Sequence, residues 1–138
     1  MSKSDPLARS RIDLTDPPEV IRENIKKAKT DHQSELTYDP INRPGVSNLI
    51  EIHMAVMDIT EQEVVEESFL LAEDTGMYKL RLAQIVAEHI NPIRERIMVY
   101  QKDPGYLRDV LHAGNVKATE IAAETMEEVR GLVGFKSR

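Results

Sequence analysis

Hydrophobic positions recur at helical spacing through most of this 138-residue chain. From Val46 onward, apolar side chains return every three or four residues, which is the repeat of a helix with one buried face. The repeat predicts helices over about 46–57, 61–72, 77–101, 103–112 and 115–132. The apolar residues are mostly aliphatic, with few aromatics, and this composition favours packed helices over a β-sandwich.

Short-range signals set the boundaries of these helices. Thr60 and Glu63 have the spacing of a capping box, which predicts a helix start. Gly76 and Gly114 are expected to end helices, because glycine readily adopts the left-handed conformation that closes them. Pro92 lies within the longest predicted helix and is expected to kink it, since proline removes one backbone hydrogen bond.

The first part of the chain follows a different pattern. Polar and apolar residues alternate over 9–14, which predicts one short strand. A single strand cannot complete its own hydrogen-bond ladder, so either its partners lie outside this chain or the segment is not a strand. Asp16 as N-cap and Pro17 at the first helical position then predict a helix over about 17–28.

The best internal boundary is the segment 30–45, which is rich in Asp, Asn, Pro and Gly and therefore reads as a loop. The expected fold is mainly α. A short strand and a helix occupy residues 1–31, and a helical bundle follows in residues 32–138.

Composition excludes several classes of function. The chain has no cysteine, which excludes a disulfide scaffold and a thiol nucleophile. No apolar run is long enough to span a membrane. The net charge of −6 argues against indiscriminate nucleic-acid binding, so neither DNA nor a membrane is an expected partner. The histidines lack metal-ligand spacing, so no protein-bound metal is expected.

Charge is nevertheless spread unevenly along the chain. The segment 58–74 carries acids but no Lys or Arg, whereas 77–117 is locally basic. The basic segment is either a solvated helix face or a surface that contacts RNA. The candidate RNA contacts are Arg94, Arg96, Lys102 and Arg108. Tyr100 and Tyr106 are candidates for stacking on unpaired bases, with packing as the alternative for both.

The first residues form a short polar stretch before an Asp-Pro turn. Taken in isolation, such a terminus is most often a disordered tail. Lys3 between Ser2 and Ser4 also suits the handling of phosphate, because its ammonium is a compact charge with three hydrogen-bond donors. A lysine of this kind can stabilise the charge on a departing phosphate.

The run Met1-Ser2-Lys3-Ser4 resembles the class I aminoacyl-tRNA synthetase signature Lys-Met-Ser-Lys-Ser without its first lysine. Three later segments resemble tryptophanyl-tRNA synthetases of the bacterial and mitochondrial type. They are Tyr38-Asp39-Pro40, Pro44-Gly45-Val46-Ser47-Asn48-Leu49 and Gly114-Asn115-Val116-Lys117-Ala118. The resemblance covers nearly the whole chain.

The resemblance implies different roles for the two parts of the chain. In this family a Rossmann-type domain activates tryptophan with ATP and Mg²⁺, and the acyl group then moves to tRNA(Trp). Residues 1–31 would be the C-terminal edge of that domain. Lys3 would be catalytic, stabilising the departing pyrophosphate, and Met1, Ser2 and Ser4 would contact ATP beside it. Residues 32–138 would be the anticodon-side domain of a homodimer, in the mitochondrial matrix or the bacterial cytoplasm.

The sequence also departs from the family pattern. It contains neither the motif that contacts the adenylate nor the tryptophan pocket. We therefore expect the chain to be the C-terminal portion of a synthetase and to be inactive alone. Two alternatives remain open: a freestanding helical module that binds RNA or protein without catalysis, and a tyrosine-specific relative.

Overall fold

The computed structural model describes residues 8–71 and 74–134, and that part of the chain is helical. A short 3₁₀ helix, Ala8–Ser10, comes first. The α-helices that follow are α1 (Pro18–Lys26), α2 (Pro44–Met57), α3 (Glu61–Leu70), α4 (Thr75–Gln101) and α5 (Pro104–Val133). The expectation of a mainly α fold is confirmed. None of the described helices combines the length and apolarity that crossing a membrane requires.

The strand predicted over 9–14 is wrong. Its first residues belong to the 3₁₀ helix, and the segment then runs on without regular structure into a turn. A strand needs a partner for its hydrogen-bond ladder, and the described residues contain no other strand. The segment is instead held against α1, because the Asn24 amide donates a hydrogen bond to the Arg11 carbonyl at 3.3 Å.

Helix α1 begins one residue later than predicted. Pro17 is the N-cap residue and Pro18 takes the first helical position, which suits a residue without an N–H. Asp16 is not the cap. Its carboxylate accepts a hydrogen bond from the backbone N–H of Asp13 at 2.9 Å, which closes the preceding turn.

Helices α1 to α4 share one hydrophobic core. Its buried side chains are Ile21, Ile25, Leu36, Val46, Leu49, Ile50, Val64, Tyr78, Leu82, Ala83, Val86 and Ala87. Tyr78 is fully buried, and its hydroxyl donates to the Leu49 carbonyl at 3.4 Å and lies 3.4 Å from Nδ1 of the buried His53. The core therefore includes a small polar group whose hydrogen-bonding needs are met.

The start of α3 agrees with the prediction. Thr60 and Glu63 form the capping box, with the Glu63 N–H donating to the Thr60 hydroxyl and the Thr60 N–H donating to the Glu63 carboxylate. Helix α4 begins at Thr75, so Gly76 lies inside it and does not end α3. The same helix continues through Pro92 to Gln101.

The helix break predicted at Gly114 is wrong. Residues 104–133 form one continuous helix, with Asp103 as its N-cap and Gly134, at φ 82°, closing it. An isolated glycine within a helix costs only about 1 kcal/mol, which is too little to enforce a break. After the loop the described residues therefore contain four helices, not five.

By its internal contacts the chain divides between Arg96 and Ile97. The first unit contains the shared core. In the second unit, no side chain of α5 is buried. The boundary expected between residues 31 and 32 falls inside the first unit, where Ile21 and Ile25 of α1 pack in the same core as α2 to α4. The assignment of 1–31 to a catalytic domain stays a prediction.

Candidate functional site

Arg43 organises the loop between α1 and α2. Its side chain is 5% exposed and forms a two-pronged ion pair with Asp31, with Nε–Oδ2 and Nη2–Oδ1 distances of 2.9 and 2.8 Å. Nη1 also donates to the Glu35 carbonyl at 2.7 Å and to the Thr37 hydroxyl. A planar guanidinium is the side chain that can serve this many acceptors at once.

The charges of this pair are fixed at neutral pH. Hydrogen bonds from Arg43, and then from the Gln33 backbone, lower the pKa of Asp31 to about 2. The Asp31 carboxylate in turn raises the pKa of Arg43. Because its donors are directed into the loop, Arg43 holds the backbone that leads into α2.

The backbone just after α1 is held by contacts with two other helices. Lys79 on α4 donates from Nζ to the Ala28 carbonyl at 2.7 Å, and burial lowers the pKa of this lysine. In addition, Gly45 in the first turn of α2 lies against the Lys29 carbonyl. The segment that follows α1 is thereby fixed to α2 and α4.

The predicted ATP contacts lie outside the described residues. These are Met1, Ser2, Lys3 and Ser4. Their roles in binding the triphosphate and stabilising pyrophosphate therefore stay predictions. Among the residues that the structure describes, no group of three or more metal-binding side chains comes together.

The four predicted RNA contacts differ in their surroundings. Arg94 is half-buried, and its Nε donates to the Thr15 carbonyl at 3.2 Å, so it also ties α4 to the segment before α1. Arg96, Lys102 and Arg108 are exposed. The division at Arg96 separates the two arginines of α4 from Lys102 and Arg108, which belong to the second unit.

Tyr100 and Tyr106 stack on each other in the second unit. Their ring centroids are 5.5 Å apart and their planes are inclined by 15°. Asp103 sets the turn between them, accepting from the Tyr106 N–H at 2.9 Å and donating its own N–H to the Tyr100 carbonyl at 3.1 Å. Both rings remain nearly half exposed, at 47% and 48%. The sequence marked each tyrosine as a stacking residue but did not predict the pair, for which the Asp-Pro turn was the available signal.

Comparison with known proteins assigns this helical chain to a family. The sequence model of tRNA synthetases class I (W and Y) matches residues 1–93. The chain belongs to this family. The match ends within α4, before the second unit begins.

Curated relatives extend the similarity over almost the whole chain. The mitochondrial tryptophan–tRNA ligase of Dictyostelium discoideum is 41% identical over 98% of this chain and 35% of its own length. The tryptophan–tRNA ligases of Rickettsia felis and Gloeobacter violaceus are 37% and 40% identical over 98% of this chain, which corresponds to 40% and 39% of their own lengths. The resemblance to tryptophanyl-tRNA synthetases is thus confirmed. The chain spans between 35% and 40% of the length of these relatives.

A solved member shares the fold of this synthetase-family chain. The tryptophanyl-tRNA synthetase of Mycoplasma pneumoniae superposes with a TM-score of 0.71 at 23% sequence identity. The superposition covers 99% of this chain and 41% of that chain. The helical arrangement is therefore a known architecture within the family.

Proposed function

We propose that this chain is the C-terminal portion of a tryptophan–tRNA ligase. The longer protein would activate tryptophan with ATP and Mg²⁺, release pyrophosphate and transfer the tryptophanyl group to tRNA(Trp). The observation that carries the proposal is the alignment of 98% of the chain with proteins named tryptophan–tRNA ligase, at 37% to 41% identity.

Within that reaction the chain would have two tasks. Lys3, with Met1, Ser2 and Ser4, would contact the triphosphate and stabilise the negative charge that develops on pyrophosphate as it leaves. The helices after the loop would face the tRNA. The ligase would work as a homodimer, in the mitochondrial matrix of a eukaryote or the cytoplasm of a bacterium.

The exposed cations and the tyrosine pair support an RNA-facing role for the second task. Arg96, Lys102 and Arg108 are exposed, as side chains that neutralise phosphates must be. The stacked pair of Tyr100 and Tyr106 leaves ring surface on which an unpaired base can stack. Arg94 would contribute charge while keeping its hydrogen bond to Thr15.

Two measurements on the 138-residue chain test this function. In ATP–pyrophosphate exchange we expect no tryptophan-dependent turnover, because the family places the adenylate and tryptophan sites elsewhere. In fluorescence anisotropy we expect the chain to bind a tRNA with a CCA anticodon more tightly than the same tRNA with another anticodon. Equal affinity for the two RNAs at every salt concentration would contradict the anticodon-side role.

A pair of variants separates RNA contact from structural support. Arg96→Gln should weaken tRNA binding and leave the unfolding midpoint unchanged, since Arg96 is exposed. Arg94→Gln should lower the midpoint as well, because it removes the hydrogen bond to Thr15. If Arg96→Gln binds tRNA as well as the parent chain does, Arg96 is not part of the RNA surface.

A further inference from the structure

A concavity of about 400 Å³ lies beside the end of α1 that Lys79 and Gly45 hold in place. We name it the Arg9 concavity. Its walls come from the 3₁₀ helix, the last turn of α1 with the residues just after it, and the N-terminal part of α2. The lining residues are Arg9, Ser10, Asn24, Lys27, Ala28, Lys29, Gly45 and Asn48. The volume falls within the range of small-ligand sites, which is about 300–1,000 Å³.

The lining of the Arg9 concavity is positively charged. Arg9, Lys27 and Lys29 contribute three cations, and no carboxylate is among the described lining residues. Lys27 forms an ion pair with Glu23 on the preceding turn of α1. No ion pair within the described part of the chain engages Arg9 or Lys29. Arg9 and Lys29 therefore line the concavity without a described ion pair.

The positive charges of the lining also act on a carboxylate outside it. The ion pair with Lys27 lowers the pKa of Glu23, and the charges of Lys26 and Arg9 lower it further. Arg9 is thus close enough to affect a carboxylate on α1. A smaller cavity shares Arg9, Ser10 and Asn24 with the Arg9 concavity. It is also lined by the apolar side chains of Ile12, Leu49 and Ile52, which add no negative charge.

The geometry of the walls is set before any ligand arrives. Asn24 is positioned by its hydrogen bond to the Arg11 carbonyl, which places the 3₁₀ segment against α1. Gly45 brings the first turn of α2 against Lys29 without a side chain in between. That turn is the positive end of the helix dipole, and Asn48 is a further lining residue with a side-chain amide. A preformed site loses less entropy on binding than a site that must be assembled.

We propose that the Arg9 concavity binds the phosphate groups of a nucleotide or of an RNA backbone. The charge selects an anion, and side chains of Arg and Lys with nearby amides are the groups that bind phosphate oxygens in proteins. The inference rests on the proposed function only for the source of the phosphate. Its chemistry rests on the cations and the walls of the concavity.

The test compares variants that each remove one positive charge from the 138-residue chain. Arg9→Gln and Lys29→Gln change the concavity, whereas Lys26→Gln changes an exposed lysine of the same helix that does not line it. The probes are a fluorescently labelled tRNA transcript, followed by anisotropy, and inorganic tripolyphosphate, followed by calorimetry. Circular dichroism verifies that each variant keeps its helices.

We expect Arg9→Gln and Lys29→Gln each to weaken binding of at least one probe by about threefold to tenfold, as loss of a single partly exposed charge contact does. Lys26→Gln should change it by less than twofold. For tRNA, each concavity variant should also reduce the slope of log affinity against log salt by about one. Weakening of tRNA binding alone identifies an RNA backbone as the source, and weakening of tripolyphosphate binding alone identifies a nucleotide.

Two results would overturn the inference. One is an equal effect of Lys26→Gln and the concavity variants, which would mean diffuse attraction. The other is a parent chain that binds neither probe. If Arg9→Gln and Lys29→Gln bind both probes as tightly as the parent chain does, and tRNA binding keeps its anticodon preference, the concavity is not a phosphate site, but the proposed function stands. If instead the parent chain shows no anticodon preference, but Arg9→Gln and Lys29→Gln still weaken binding of a probe, the concavity is a phosphate site and the proposed function fails.

Discussion

Gly45 lies so close to the carbonyl oxygen of Lys29 that no side chain fits between them. A Cβ at this position would overlap that oxygen and also lie 3.3 Å from the Thr30 Cα. The obstacle is backbone, which cannot rotate away as a long side chain can. This contact joins the end of α1 to the beginning of α2, and it explains why a glycine is needed at a position that otherwise has ordinary helical geometry.

Gly45→Ala should therefore destabilise the chain. We expect the free energy of unfolding in urea to fall by about 1–3 kcal/mol, the usual cost of forcing extra volume into a packed site. Gly114→Ala is the matched control, because Gly114 lies in α5 with nothing near its Cα on which a methyl could press. It should stabilise helix α5 by up to about 1 kcal/mol. Equal changes in the free energy of unfolding for Gly45→Ala and Gly114→Ala would show that the Lys29 carbonyl does not restrict position 45.

Arg43 should stabilise the chain through the geometry of its hydrogen bonds as well as through its charge. Arg43→Met leaves the Asp31 carboxylate and the carbonyls of Glu35 and Gln33 without this donor, and we expect a loss of about 1–3 kcal/mol in unfolding free energy. Arg43→Lys keeps the charge but cannot make the two-pronged pair, so it should recover only part of the loss. Urea denaturation monitored by circular dichroism measures both. Full stability in Arg43→Lys would show that geometry is unimportant.

Acid should weaken the chain through Asp31. The pKa of Asp31 is lowered from 3.8 to about 2 in the folded chain, so the unfolded chain binds the proton more readily. The stabilisation is fully present above about pH 4 and is lost as pH falls towards 2. The difference in unfolding free energy between the parent and Asp31→Asn should therefore shrink over that interval. A difference that stays constant from pH 6 to pH 2 would show that protonation of Asp31 does not cause the loss of stability in acid.

The tyrosine pair should act as a stacking surface for RNA. Tyr100→Ala should lower tRNA affinity, since stacking of one base on an aromatic ring contributes about 1–3 kcal/mol. Tyr100→Phe keeps the ring and should bind as the parent does. Anisotropy with the CCA-anticodon tRNA measures both variants. Equal affinity for the alanine and phenylalanine variants would mean that the pair only packs the turn around Asp103.

The sequence predicted features that depend on neighbours along the chain. The capping box of Thr60 and Glu63 lies within one helical turn, and a proline near a helix start acts through its own φ. The strand failed because its stability would depend on a partner that the described chain does not supply. The prediction at Gly114 was wrong because the preference of glycine for helix ends is weak, and α5 continues through it.

Other features could not be predicted because they depend on distant residues meeting. Asp31 and Arg43 are separated by a loop that reads only as polar, and nothing in its composition shows that it folds around one guanidinium. The Arg9 concavity joins three elements of the chain in the same way. The triphosphate contacts proposed for Lys3 lie outside the described residues and depend on the family resemblance alone.

Helix α5 has thirty residues and no buried side chain. Its backbone hydrogen bonds are therefore protected only by the helix itself, and not by the cooperative unfolding of a core. In hydrogen–deuterium exchange of this chain, the amides of α5 should exchange far sooner than those around Leu82 and Val86 in α4, which are buried. A protease added under native conditions should cut first within α5. We therefore expect α5 to open without unfolding of the core that α1 to α4 share.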